Sequence, residues 1–456
     1  MLKQPFIVLA AALAFAGCTM MPAYERPTAP VAARYPAAAA ANAGPPAADI
    51  AWRNVFSDER LIRLIELSLT NNLDLRTAML NVQQSRAQYR ITRSASFPTV
   101  NGTASYTRAE SGGITSDQWS ASLGTVAYEV DFFGRVRSLN RQALEKFLAT
   151  VEAQRSAQIL LVAEVASQYF VWRQAEEQLA LARQTLVTVQ ASYDLNKATF
   201  DAGASNELDL RTAEGQVQTA TINVLTYERQ LAQAENYLTL LVGQPIPTAL
   251  PAPRPLNDTN LVAEVPSGLP SGLVERRPDI LEAEHTLKAA NANIGAARAA
   301  FFPTITLTGS IGTSSSQLSQ LFGSGTGVWS FSPQITVPIF TGGQNVADLD
   351  SAKIGARLEV AGYQKAIETA FREVADALVA SSSYGSQVRA QTALINAQQR
   401  RFDLATVRYR MGEDTYLNVL SAQQDLYSAQ QGRIDSQYNK LASQISLYQA
   451  LGGGWK

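Results

Sequence analysis

Two side chains with the widest chemical repertoire occur once each in this chain: a single cysteine, Cys18, and a single histidine, His285. A zinc site draws on several Cys or His ligands, so the composition excludes a zinc centre of the usual kind. An activated nucleophile needs a base within reach. His285 has no such motif beside it and reads as a surface or packing residue on a helix over residues 279–298. No Gly-x-Ser-x-Gly elbow, phosphate-cradling glycine loop or His-based metal motif occurs either. What remains is carboxylates. In residues 201–214, Asp201, Glu207, Asp209 and Glu214 face only Arg211, a balance of −3; in residues 410–425, Glu413, Asp414 and Asp425 face only Arg410, a balance of −2. Such stretches attract cations by charge alone, an effect that salt screens. Over the whole chain 38 basic residues meet 39 acidic ones. That balance excludes the basic footprint of a nucleic-acid binder. Charged residues make up 17%, below the roughly 25% of soluble domains.

The elements that must position these residues begin with an address. Lys3 precedes an apolar run from Phe6 to Ala16, too short to cross a bilayer as a helix. Residues 1–17 therefore read as a cleaved signal peptide. Ala16-Gly17-Cys18 resembles the bacterial lipoprotein cleavage box, with Phe15 where Leu is usual. An ordinary signal peptide followed by an incidental cysteine is the other reading, but an exported free thiol needs an explanation. The expectation is a diacylglycerol and an N-acyl chain on Cys18, with no other cofactor. Thr19, in place of an inner-membrane Asp, fits outer-membrane lipid. Residues 18–50, rich in Ala and Pro, read as an extended tether.

The rest of the chain is written twice. Phe97-Pro98-Thr99 recurs 205 residues later as Phe302-Pro303-Thr304, and Asp74 recurs as Asp279. Further on, Tyr193-Asp194-Leu195 matches Phe402-Asp403-Leu404, while Gly203 and Gly243 match Gly412 and Gly452, all at an offset of 209. The first copy spans residues 51–243 and the second 279–452, joined by a Pro-rich linker and equatorial segment, 244–278, and followed by a short tail, 453–456. Each copy reads as helix, two strands, a very long helix and a long helix.

The strands are expected at about 99–108, 119–131, 304–313 and 328–340. Apolar residues such as Ile305, Leu307 and Ile311 alternate there with Thr, Ser, Asn and Gln, so one face is apolar and the other polar but uncharged. The phase slips near Gly124, which points to a bulge. Lipid-facing barrel strands alternate in this way, and so does a half-buried soluble sheet. Four strands cannot close a barrel, and an open edge in lipid leaves backbone groups unsatisfied. Strands that span a membrane here require several chains; three copies would give twelve strands.

The long helices are expected at about 135–200, 206–241, 344–410 and 416–451. Sixty-six residues without proline extend about 99 Å at 1.5 Å each, against a usual helix of eleven or twelve residues. A secreted structural coiled coil without channel activity is the competing reading. Heavy use of alanine and the lack of a Leu-rich heptad favour close-packed helical walls. Only a membrane duct should depend on detergent.

The order of elements, the repeat and several motifs together resemble the TolC family of outer-membrane efflux proteins, and its OprM-like or NodT-like lipoprotein branch in particular. The motifs are Asn71-Asn72-Leu73-Asp74-Leu75, Glu275-Arg276-Arg277-Pro278-Asp279-Ile280, both Phe-Pro-Thr turns, and Tyr409-Arg410-Met411-Gly412-Glu413-Asp414. The resemblance implies an α+β membrane protein: a homotrimer with a 12-stranded transmembrane β-barrel continued by a periplasmic α-helical barrel. It implies a passive exit duct for drugs or other small molecules, lipid-anchored in the cell outer membrane. The implied partners are a periplasmic adaptor protein and an inner-membrane pump of the RND type. Adaptor contact is expected at the turns Gly203-Ala204-Ser205 and Gly412-Glu413-Asp414. The family narrows its tip at the start of the last helix, here Leu417, Asn418 and Ser421; where relatives carry aspartates at the latter two, this chain is neutral. Asp209, the repeat equivalent of Asn418, either supplies that charge or is a solvated carboxylate favoured by the helix dipole.

Overall fold

The computed structural model describes residues 19–32, 35, 50–256, 261 and 275–453. In chain order the elements are α1 (Glu59–Asn71), α2 (Leu73–Ser94), β1 (Asn101–Ser111), β2 (Ile114–Val130), α3 (Arg135–Asp201), α4 (Glu207–Val242), α5 (Pro278–Ala299), β3 (Thr304–Ser315), β4 (Gly327–Thr336), α6 (Gln344–Arg410) and α7 (Tyr416–Ala450). The contacts group into two compact units. One holds the segment up to Ala29, Leu80–Glu152 and Leu281–Ala366; the other holds Pro30–Met79, Ala153–Ile280 and Ile367–Lys456.

The first unit contains one antiparallel sheet in the order β1-β2-β3-β4. Each copy of the repeat supplies a hairpin, and β2 joins them by pairing with β3. β1 and β2 extend closer to each other than their alternation suggested, leaving only Gly112 and Gly113 between Ser111 and Ile114. Both glycines have positive φ, 61° and 81°, as a two-residue hairpin turn requires. The residues flanking this turn, such as Arg108, Glu110, Asp117 and Gln118, are polar on both faces and so hide the period of two. The phase slip is a bulge between Thr125 and Tyr128. Ala127 there has φ 52°, an uncommon value for a residue with a Cβ; its N–H donates to Thr308 Oγ1 at 3.0 Å. β4 stops at Thr336 rather than reaching 340, because Pro338 lacks a donor and restricts Val337 before it.

In the second unit the helices pack through small residues and a few large anchors. Leu61, Leu64 and Ile65 of α1 are fully buried. Asp58 caps α1 through Arg60 N–H at 2.9 Å and also accepts the Tyr169 hydroxyl of α3 at 2.6 Å. The repeat recurs in detail where the long helices end. Asn72 caps α2 at Leu75 N–H and donates to the carbonyl of Leu241, near the end of α4. Its equivalent 205 residues on, Arg277, donates to the carbonyl of Ala450 at 2.6 Å, at the end of α7. Gly243 and Gly452 follow with φ 75° and 79°, closing each helix in the left-handed conformation that glycine favours.

Candidate channel wall and tip

The sheet sorts its side chains by face. On one face lie Tyr106, Trp119, Leu123, Ile311, Trp329, Phe331 and Ile335, in register across the strands. Tyr106 and Trp119 stack with ring centres 4.3 Å apart, and Trp329 is 78% exposed. The opposite face is a ladder of hydroxyls: Ser105 to Ser120 at 2.8 Å, Thr103 to Ser122 at 3.0 Å and Ser310 to Ser330 at 2.8 Å. Among the strand residues of that face the one charge is Glu129, and Arg135 neutralises it. An apolar exterior and a neutral, hydrogen-bonding interior are what a barrel wall between lipid and water requires. No described helix is long and apolar enough to cross a membrane.

At the other end of α3 the chain reverses through Gly203, Ala204 and Ser205, and at the end of α6 through Gly412, Glu413 and Asp414. Gly203 and Gly412 have φ 72° and 77°; these turns are largely exposed. Behind them is a small core of Ala213, Tyr416, Val419 and Leu420, against which Tyr193, Phe402 and Tyr409 pack. Tyr409 and Tyr416 have ring centres 5.4 Å apart, and the Tyr409 hydroxyl donates to Asn196 Oδ1 on α3 at 3.4 Å. Burial first pushes both phenols above their ordinary range; the nearby charge of Asp209 adds to this at Tyr409, and at Tyr416 the neighbouring Tyr409 adds more than Asp209 does.

Most of the tip carboxylates are not free. Asp201 is paired with Lys197, Glu207 and Glu214 with Arg211, Asp414 with Arg408, and Asp425 with Arg401. Lys197, Arg401 and Arg408 fall outside the two short acid-rich windows of sequence, so those windows overstate the local negative charge. Asp209 and Glu413 have no basic partner among the described residues. Asp209 accepts a bond from the side chain of Asn206, which caps α4 through the Asp209 N–H. Leu417 is 67% exposed and Asn418 is exposed. Ser421 is half-buried and accepts a bond from Arg401 at 3.2 Å. The tyrosine core, with Asn196 and Arg401, escaped sequence reasoning. Its one legible trace is the repeat match of Tyr193 with Phe402.

Cys18 lies outside the described residues. The chain just after it is pinned, not free. Met20 O accepts a bond from Arg298, Pro22 O accepts one from Asn291, and Arg26 and Tyr24 bind Glu284. Gly295 makes room for this strap, since a Cβ there would lie 2.8 Å from Met21 Cα. His285 does pack on a helix and meets Glu145 at 2.6 Å. No group of three or more His, Cys, Asp or Glu able to hold a metal occurs among the described residues.

A two-faced sheet carried on helices of 67 residues defines a channel of the outer membrane. The chain belongs to the outer membrane efflux protein family, whose model matches residues 64–244 and 269–453. It is 46% identical to the toluene efflux pump outer membrane protein TtgC of Pseudomonas putida, over 100% of this chain and 96% of that protein. It is 41% identical to the cation efflux system protein CusC of Escherichia coli, over 99% of this chain and 98% of that protein. The open state of the MtrE outer membrane channel of Neisseria gonorrhoeae superposes with a TM-score of 0.90 at 40% identity, covering 96% of this chain and 99% of that one. These likenesses set aside the reading as a secreted coiled coil. The chain is an outer-membrane channel component of an efflux system.

Proposed function

We propose that three copies of the chain close a twelve-stranded barrel and continue it as a helical tunnel, through which small molecules pass without chemical change. The observation that carries this reading is the sheet itself. β1 and β4 are its two edges, and an edge in lipid costs several kcal/mol for each unpaired backbone group. Pairing β4 of one copy with β1 of the next removes every edge. The same reading places a diacylglycerol and an N-acyl chain on Cys18. It assigns adaptor contact to the turns at Gly203–Ser205 and Gly412–Asp414, with an inner-membrane pump of the RND type supplying the cargo. Asp209, Leu417, Asn418 and Ser421 form the resting constriction, with Leu417 as the steric element and Asp209 as the charge. Relatives are named for toluene and for cations; a neutral hydroxyl wall suits cargo of many kinds, so the pump selects. Light scattering of the detergent-solubilised protein tests the assembly. A mass of three chains is expected, and a stable monomer would end the proposal.

A further inference from the structure

The repeat gives the membrane-proximal helices α2 and α5 the same length, 22 residues, at an offset of 205. Their equivalent faces have different fates. On α5 that face carries Glu284, Asn291, Gly295 and Arg298, and it is covered by the strap of residues 20–26. On α2 the equivalents of Asn291, Gly295 and Arg298 are Arg86, Arg90 and Arg93. The spacing, i, i+4 and i+7, aligns the three guanidinium groups along one stripe. All three residues are exposed, and none has an ion-pair partner among the described residues. No strap can lie there, because Arg90 fills the position where Gly295 leaves its notch.

We infer that Arg86, Arg90 and Arg93 bind the phosphates of anionic phospholipid headgroups in the periplasmic leaflet of the outer membrane. The stripe ends at Arg93, just before Phe97 and Val100, which are 61% and 71% exposed, and β1 begins at Asn101. With a rise of 1.5 Å per residue, the three arginines spread over about 10 Å of helix. The polar layer outside the hydrocarbon core is about 5–8 Å deep on each side, so Arg93 and Arg90 stand nearest to it and the long side chain of Arg86 must reach towards it. Guanidinium groups match phosphate oxygens in charge and geometry, and Arg stems can lie along the apolar surface beside them. The inference is independent of any lipid on Cys18, since it uses only α2 and the position of the sheet.

The test is native mass spectrometry of the solubilised protein, equilibrated with mixed micelles of detergent, phosphatidylglycerol and phosphatidylethanolamine. The wild type should retain phosphatidylglycerol in preference. Each basic residue at an anionic surface contributes roughly fivefold in affinity, so R86Q/R90Q/R93Q should bind on the order of a hundredfold more weakly. R372Q/R389Q/R400Q, with the same change in charge but on α6, should bind as wild type does. The lysine variant R86K/R90K/R93K keeps the charges and the fold and should retain most of the binding. Equal retention of the two lipids by the wild type would overturn the inference. So would undiminished phosphatidylglycerol binding by the glutamine variant, or an equal loss in the α6 control.

Discussion

Asp209 and Leu417 stand out at the tip because their neighbours are already engaged. Arg401 occupies Ser421, Asp414 occupies Asn418, and basic partners occupy most of the other carboxylates. Asp209 keeps a charge with no basic partner among the described residues, and carboxylates lining a pore favour cations. Asp209→Asn should therefore reduce cation preference in single-channel recordings, and the wild-type preference should itself fall as salt screens the charge. Leu417→Ala should raise the resting conductance in the absence of adaptor. Unchanged currents in both variants, in a channel that prefers anions, would move the constriction elsewhere. A second expectation concerns Glu284. Burial would raise its pKa, but Arg26 and Lys288 outweigh burial and the net direction is down. A carboxylate lowered by folding stabilises the folded arrangement above the usual Glu range and loses that contribution as pH falls through the lowered value. Protection of the amides within residues 19–29 from hydrogen exchange should thus fall, and their rates approach the intrinsic ones, as the pH drops below the usual Glu range. Arg26→Gln should show the same loosening at neutral pH.

Among the elements, the helix ends are where one side chain decides most. Asn72 is 5% exposed, and it both caps α2 and holds the last turn of α4. Asn72→Ala removes both bonds, leaving the Leu241 carbonyl to the Ser68 hydroxyl alone and the Leu75 N–H without its cap, a loss of about 1–2 kcal/mol. It should appear as a lower midpoint in thermal unfolding, with the α-helical signal otherwise intact. The long helices were legible because their boundaries are written in side chains of known effect: Gly134 before α3, Gly203 after it, Asn206 as the cap of α4. The strand hairpin was only half legible. Alternation marks a strand when one face is apolar, and around Gly112-Gly113 both faces are polar. The tyrosine core at the tip was not legible, since Tyr409 and Tyr416 meet Asn196 across more than 200 residues of sequence. The strap was hidden for the same reason: its partners on α5 are single polar side chains, and Ala/Pro composition alone suggests only an extended tether.

For the whole molecule, the strands span the membrane, and the lipid proposed on Cys18 would only tether it. Mass spectrometry of the mature N-terminal peptide should find Cys18 acylated; an unmodified thiol would refute the anchor. A Cys18→Ser form, exported under a different signal, should still assemble its barrel, because lipid-facing alternation and strand pairing do not involve residue 18. The open edges at β1 and β4 have a further consequence, and it is genetic. A chain whose β1 edge is blocked, for instance by proline at Ala104, whose backbone N–H faces away from β2, would spoil every assembly it joins, since its neighbour's β4 would then find no partner. If three chains assort at random from equal pools of intact and blocked copies, only about one assembly in eight is wholly intact. Alleles that damage a strand edge should therefore be dominant in a cell carrying both, whereas alleles that merely prevent export should be recessive.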